Sequence, residues 1–315
     1  VQTSAALSIS ASGSDGSRDV ALSPLAILIA ATLLVASLAA LAIVPSAGMR
    51  FEAAGFLQFL ALAACMIGLA GWCRFRKLDP RVGDAATIVA IGTVALMACG
   101  VISNAGLRLG AAPIDVWLAS ADAAVGIDVE RAVRAMVAHA WAIDALTWIY
   151  NASGAAIVVL IAARTVAGHR AKAWELLATV VVSMQAVALL SIAFPAIGAM
   201  AHLDMLDLQG NGLPSGAGVY HLEAFRQFHQ GSDPVLRLSE MSGLVTFPSF
   251  HTVLALLAVQ ALADTRLRWL AVAWTAAVIV STIPIGGHYV TDLVAGFAIW
   301  AGCAWTARRF SNPSA

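Results

Sequence analysis

Residues 246–251 read TFPSFH and residues 281–292 read STIPIGGHYVTD, and the apolar stretch between them decides what kind of protein this is. From His251 to His288 the chain is long enough for two membrane-crossing helices, each needing about 20 residues to cover a hydrocarbon core of about 30 Å. A hairpin of two such helices returns His288 to the membrane face where His251 sits. His288 and Asp292, four residues apart, share a face if the segment is helical. Two histidines, a carboxylate and the hydroxyl of Ser249 therefore converge at one end of a hairpin.

Composition points the same way. Of the 315 residues, 60% are hydrophobic and only 11% charged, against about 25% charged in a soluble domain. The formal net charge is zero, so the total gives no sign of a nucleic-acid partner. Cys65, Cys73, Cys99 and Cys303 lie scattered in or beside apolar segments without ligand-like spacing and are read as packing residues.

Residues 1–20, rich in Ser, Ala and Gly, bury too little surface to order themselves and are read as a flexible tail. Apolar segments then predict spans over 24–44, 56–73, 85–106, 141–163, 174–198, 247–263, 269–284 and 289–307. Residues 111–140 interleave charged and apolar positions and predict an amphipathic helix along the interface. Alternate threading collects Arg18, Arg74, Arg76, Lys77, Arg81, Arg164, Arg170, Lys172, Arg266, Arg268, Arg308 and Arg309 on one side. Arg50, Arg108, Arg131, Arg134, Arg226 and Arg237 fall on the other. The excess of basic residues in short loops marks the cytoplasmic side, so both termini are expected there and the two histidine stretches on the outward face.

The residue types suit phosphoryl chemistry, which needs a nucleophile, an acid for the departing oxygen, and positive or N–H groups around the phosphoryl oxygens. His288 suits the nucleophile, with Asp292 fixing its tautomer, and His251 suits the acid. Pro248 is expected at the first position of a helix, placing backbone N–H groups and Ser249 where an anion binds. Gly286 and Gly287 let the backbone approach the same anion closely, which makes Gly287 a phosphate-binding candidate beside Ser249. Asp292 lies a turn into an apolar run, where a carboxylate costs on the order of 3 kcal/mol, so it is a functional candidate by default.

These two stretches resemble the second and third signatures of the type 2 phosphatidic acid phosphatase superfamily: Pro-Ser-Gly-His, then Ser-Arg, five residues, His, three residues, Asp. Here they stand as Pro248-Ser249-Phe250-His251 and as Ser281-Thr282, five residues, His288, three residues, Asp292. The FPSFH and GGHYVTD wording is closer to the inositol phosphorylceramide synthase-like branch. The resemblance implies a metal-independent, cofactor-free phosphohistidine mechanism with His288 as nucleophile, Asp292 its partner, His251 the general acid and Ser249 a phosphate ligand. Three departures accompany it. Phe250 replaces the usual Gly, Thr282 replaces a phosphate-binding Arg, and the first signature, Lys, six residues, Arg-Pro, is absent. Arg226 in the long connection is the leading substitute for the missing charge, with Arg237 second.

Several motifs are set aside. Pro214-Ser215-Gly216-Ala217 imitates the second signature but lacks its His and is read as loop. His202, His221 and His229 fit no zinc spacing. Asp144, Tyr150, Asn151 and Gln185 form a polar seam between spans or line a headgroup pocket.

The sequence thus predicts an all-α polytopic integral membrane bundle of about six to eight transmembrane helices plus an interfacial amphipathic helix. Residues 21–315 form a single transmembrane catalytic domain, with an outward loop over 199–245 and a catalytic core over 244–296. It is expected to act on a lipid phosphate, pyrophosphate or phospho-headgroup in a bacterial inner membrane, by hydrolysis or by transfer to an alcohol such as ceramide. A proton-relaying transporter or phosphate binder, the reading from another class, calls for ionisable residues on several spans and broken helices in two halves.

Overall fold

A computed structural model describes residues 23–231, 233–241 and 243–311. The tail expected over 1–20, with Arg18, lies outside the described residues. In chain order the helices are α1 (Pro24–Ser46), α2 (Ala53–Phe75), α3 (Pro80–Leu107), α4 (Asp115–Ala124), α5 (Val129–Met136), α6 (Ala140–Val166), α7 (Arg170–Ala193), α8 (Ala199–His202), α9 (Leu222–Gln230), α10 (Phe250–Leu262), α11 (Arg268–Thr282) and α12 (Val290–Ser311). Strands β1 (Arg50–Phe51) and β2 (Val235–Leu236) form one short parallel pair. The fold is the expected all-α membrane bundle.

Among the described residues six helices, α1, α2, α3, α6, α7 and α12, are long and apolar enough to cross a membrane. Local sequence explains their ends. Ser23 accepts the Ala26 N–H and Asp79 accepts the Arg81 N–H, each just before a proline that opens its helix. α7 stops at Ala193, short of the expected 198, because Pro195 carries no N–H to continue it. α7 is the most enclosed of the six and packs against α1, α3, α6, α10 and α12. Gln185, expected in a polar seam, donates to the Ala95 carbonyl inside this packing at 2.8 Å.

The expected sixth and seventh spans are shorter than predicted. α10 has 13 residues and α11 has 15, about 20 and 22 Å at 1.5 Å per residue, short of a hydrocarbon core of about 30 Å. Their depth follows from α6, which runs beside them. The His251 ring at the start of α10 stacks on Tyr150, ten residues into α6, and Asp264 beyond the end of α10 pairs with Arg164 near the end of α6. The α10–α11 hairpin therefore fills the lower part of the bundle. The level above it is occupied by the loops that build the site.

Residues 111–140 form two helices rather than one interfacial helix. α5 is amphipathic, and its Arg134 bridges Glu130 at 2.9 Å and Asp207 at 2.8 Å. On α4, Asp115 and Asp122 are buried, contrary to the expectation that charged positions there face water. The connections fall into two groups. At one end, Arg108 holds the Gly231 and Asp233 carbonyls, β1 pairs with β2, and α4 touches both the start of α12 and the residues after α7. At the other, Arg170 pairs with Asp84 and Arg308 with Glu175.

Candidate active site

His288 lies in the turn between α11 and α12, not on the helix, and Asp292 is the third residue of α12. Their pairing arises from helix capping rather than from two helical residues on one face. The Asp292 carboxylate reaches back to accept the Tyr289 N–H at 3.0 Å, and the same oxygen lies 3.1 Å from Nδ1 of His288. A carboxylate at this place satisfies a donor at a helix start and holds the imidazole at once. Both side chains are buried. Burial pushes the His288 imidazole down to about 4 and works against charge on the Asp292 carboxyl as well, so the pair is held by its Nδ1–carboxyl contact in a site that disfavours charge on either partner.

The hairpin brings His251 beside His288, with ring centroids 6.3 Å apart. His251 lies flat against Tyr150, centroids 4.0 Å and planes 20° apart, which fixes its orientation. Ser249 is fully buried and caps α10 by accepting the Thr252 N–H at 3.3 Å. Its own N–H donates to the Asp292 carbonyl at 3.1 Å, joining the two signatures through the backbone. Pro248 therefore precedes the cap instead of taking the first helical position, because the Ser249 side chain claims the cap.

The glycines act between loops. Gly287 has φ +72, and a Cβ there would come within 2.5 Å of the Gly218 carbonyl oxygen. At Gly286 a Cβ would come within 2.7 Å of the His288 ring and 2.9 Å of Tyr150. Hydrogen bonds from Gly218 N–H to the Ile285 carbonyl and from Ala199 N–H to the Gly287 carbonyl, both 2.7 Å, dock the turn onto its neighbours.

Sequence reasoning missed the members that support this turn. Asp122 accepts the N–H groups of Val290 and Thr291 at 2.8 and 2.9 Å and the Thr291 hydroxyl at 2.6 Å. Asp115 accepts the N–H groups of Ile197 and Gly198 at 3.0 and 2.9 Å. The signal available was their spacing, seven residues or two turns on one face of a helix. His221, set aside with the metal candidates, is buried, donates from Nε2 to the Ile197 carbonyl at 2.9 Å, and is pushed below its ordinary range by that burial. His229 instead bonds the Ala111 carbonyl, and no group of metal-binding side chains occurs among the described residues. Arg226 is exposed on α9, on a different face from Phe225 and Phe228, which enter the core, while Arg237 pairs with Asp233 at 2.7 Å.

A cavity of about 450 Å³ opens on His251, lined by Thr147, Tyr150, Asn151, Ser215, Gly216 and Tyr220 among others. The Pro214–Ala217 segment, dismissed as loop, is part of its wall. The hydroxyls of Tyr150 and Tyr220 meet at 3.0 Å across it.

Comparison with known families matches residues 116–306 to the PAP2 superfamily. The chain belongs to that superfamily. The match begins in α4 and takes in both signatures, so the resemblance seen over 244–296 extends upstream through α6 and α7. No curated protein and no solved structure matches the chain. PAP2 membership supports a phosphatase or phosphotransferase, and this chain departs from the usual signatures at Phe250 and Thr282. Thr282, at the place of the usual Arg, is buried and its hydroxyl donates to the Ile279 carbonyl at 2.6 Å.

Proposed function

We propose that the protein cleaves a phosphate ester or anhydride of a membrane lipid through a phosphohistidine on His288. The supporting observation is the buried His288–Asp292 pair with His251 beside it, inside the region that matches the family. The His288 ring nitrogen not turned toward Asp292 attacks phosphorus while the bond to the leaving oxygen breaks. His251 gives that oxygen a proton, and Asp292 stabilises the charge that develops on the His288 ring. In the second step His251 takes a proton from water or an alcohol, whose oxygen displaces His288 from phosphorus. Ser249 and Arg226 bind the phosphoryl oxygens in this reading, which requires the Arg226 side chain, exposed on α9, to turn toward the site. Gly287 sets the height of the turn beneath them. The chemistry assigned to these side chains needs no metal.

Transfer to an alcohol, as in the inositol phosphorylceramide synthase-like branch, is the second reading. It is favoured by the cavity on the His251 side, where the leaving group and the acceptor must bind. Its lining offers hydroxyls and an amide, and no Lys or Arg is among its described residues. We place this site on the outward face, with the basic-rich end and both termini cytoplasmic in a bacterial inner membrane. Residues 21–315 then act as one catalytic unit.

The test is phosphate release from a panel of lipid phosphates and pyrophosphates by detergent-purified protein, with chelator present, for wild type and His288→Ala. Release that survives chelator and disappears in the variant is expected for hydrolysis. Headgroup transfer only after a hydroxylated lipid is added is expected for the synthase reading. Activity that persists without His288 overturns the assignment, and absence of both reactions favours the transporter or binder.

A further inference from the structure

A second polar cavity lies at the opposite end of the bundle from the histidines. It measures about 300 Å³ and sits among the end of α2 and the starts of α3 and α7, lined by Cys73, Arg74, Lys77, Gly83, Asp84 and Arg170 among others. Asp84 is buried and grips Arg170 with both oxygens, 2.8 Å to Nε and 3.0 Å to Nη2, so that guanidinium is a fixed wall. Arg74 and Lys77 are exposed and face no second carboxylate among the lining residues. Three cations against one carboxylate leave a concave site with excess positive charge. Lys77 also holds φ +52, a conformation uncommon for a residue with a side chain, which turns the chain tightly there.

The aromatic residues at the same end of α2 tell what kind of molecule approaches. Trp72 is 54% exposed and Phe75 78%, on the last turns of α2, and Arg76 lies over the Trp72 ring at 5.3 Å. Exposed aromatics at the end of a spanning helix anchor at headgroup level. A basic pocket between helices at that level matches the charge and the depth of a phospholipid phosphate.

We infer that the Arg74–Lys77–Arg170 pocket binds a phosphate anion presented as the headgroup of an anionic phospholipid, at a site separate from the reacting centre. Asp84 organises the pocket by holding Arg170 in place. The acyl chains run down the outer face of α2 past Phe75 and Trp72. This site goes beyond the proposed reaction and stands or falls without it.

The experiment is native mass spectrometry of the 315-residue chain with phosphatidylglycerol and, separately, phosphatidylcholine, comparing wild type with Arg74→Gln/Lys77→Gln. Arg170 stays intact in that variant, so Asp84 keeps its partner. A second variant, Arg266→Gln/Arg268→Gln, removes equal charge from the α10–α11 turn at the same end. The expected result is preferential retention of phosphatidylglycerol, weakened on the order of thirtyfold by the pocket variant and little by the control. Equal loss in both variants, or equal retention of the two lipids by wild type, overturns the site. If inorganic phosphate alone protects the wild type against thermal unfolding as well as the lipid does, and the pocket variant loses that protection, the ligand is free phosphate and the lipid assignment fails. Should the pocket variant not fold, competition of phosphatidylglycerol by glycerol phosphate on wild type decides between a headgroup site and chain contacts only.

Discussion

At the scale of single residues, the proposed attack by His288 depends on which ring nitrogen carries its proton, and the Asp292 carboxylate, 3.1 Å from Nδ1, is the group placed to set it. An amide at 292 can still accept the Tyr289 N–H, so the helix start survives, but it no longer stabilises a charged imidazole. Asp292→Asn is expected to lower kcat by about 10³- to 10⁴-fold, as loss of a tautomer-setting carboxylate does elsewhere, while leaving thermal unfolding in detergent nearly unchanged. Steady-state kinetics beside an unfolding curve check this. Gly287 is expected to behave in the opposite manner. Gly287→Ala places a Cβ in the left-handed region and against the Gly218 carbonyl, so it costs at least about 1–3 kcal/mol and lowers unfolding temperature together with activity. The GlyGly pair was legible as a place of close approach, but what approaches it, the 218 backbone and the Tyr150 ring, was not.

At the scale of elements, α4 acts as a brace. Its two aspartates sit two turns apart and tie the start of α12 and the loop after α7 to one rigid rod. Asp122→Ala leaves two backbone N–H groups and a hydroxyl without their acceptor, a loss on the order of 3 kcal/mol. The expected outcome is a lower unfolding temperature and a kcat reduced more than KM is raised, since the turn carrying His288 loses its support before the cavity changes. Hydrogen exchange of residues 283–292 is expected to rise in the same variant. Charged residues in an amphipathic stretch ordinarily face water, and that rule hid these two. They are buried because backbone donors from distant loops meet them, a circumstance no local window contains. The same limit explains α10, whose length was set by the loops stacked above it rather than by the bilayer.

At the scale of the whole molecule, the described connections sort into a basic-rich end and an end that carries the histidines. Two short helices in place of two full spans leave the parity of crossings unchanged, because the α10–α11 hairpin returns to the level where it began. A fluorescent reporter fused after residue 315 is accordingly expected to fold and fluoresce in the cytoplasm, and an alkaline phosphatase fusion at the same place to be inactive. The reverse pattern would place the histidines on the cytoplasmic face and require substrate from that leaflet.

Much of this protein follows from order along the chain. Apolar runs demanded a bundle of helices because backbone polar groups in a bilayer must be satisfied internally, and the spacing of His251, His288 and Asp292 named a site because a hairpin must return to its own face. Tertiary structure alone decided how that site is held. The Asp292 carboxylate works as a helix cap, Asp115 and Asp122 hold turns more than 80 residues away in sequence, and the Pro214–Ala217 loop becomes a cavity wall. Those contacts depend on which backbone groups meet after the helices pack, and that is fixed by the volume and hydrogen-bond needs of the assembled bundle.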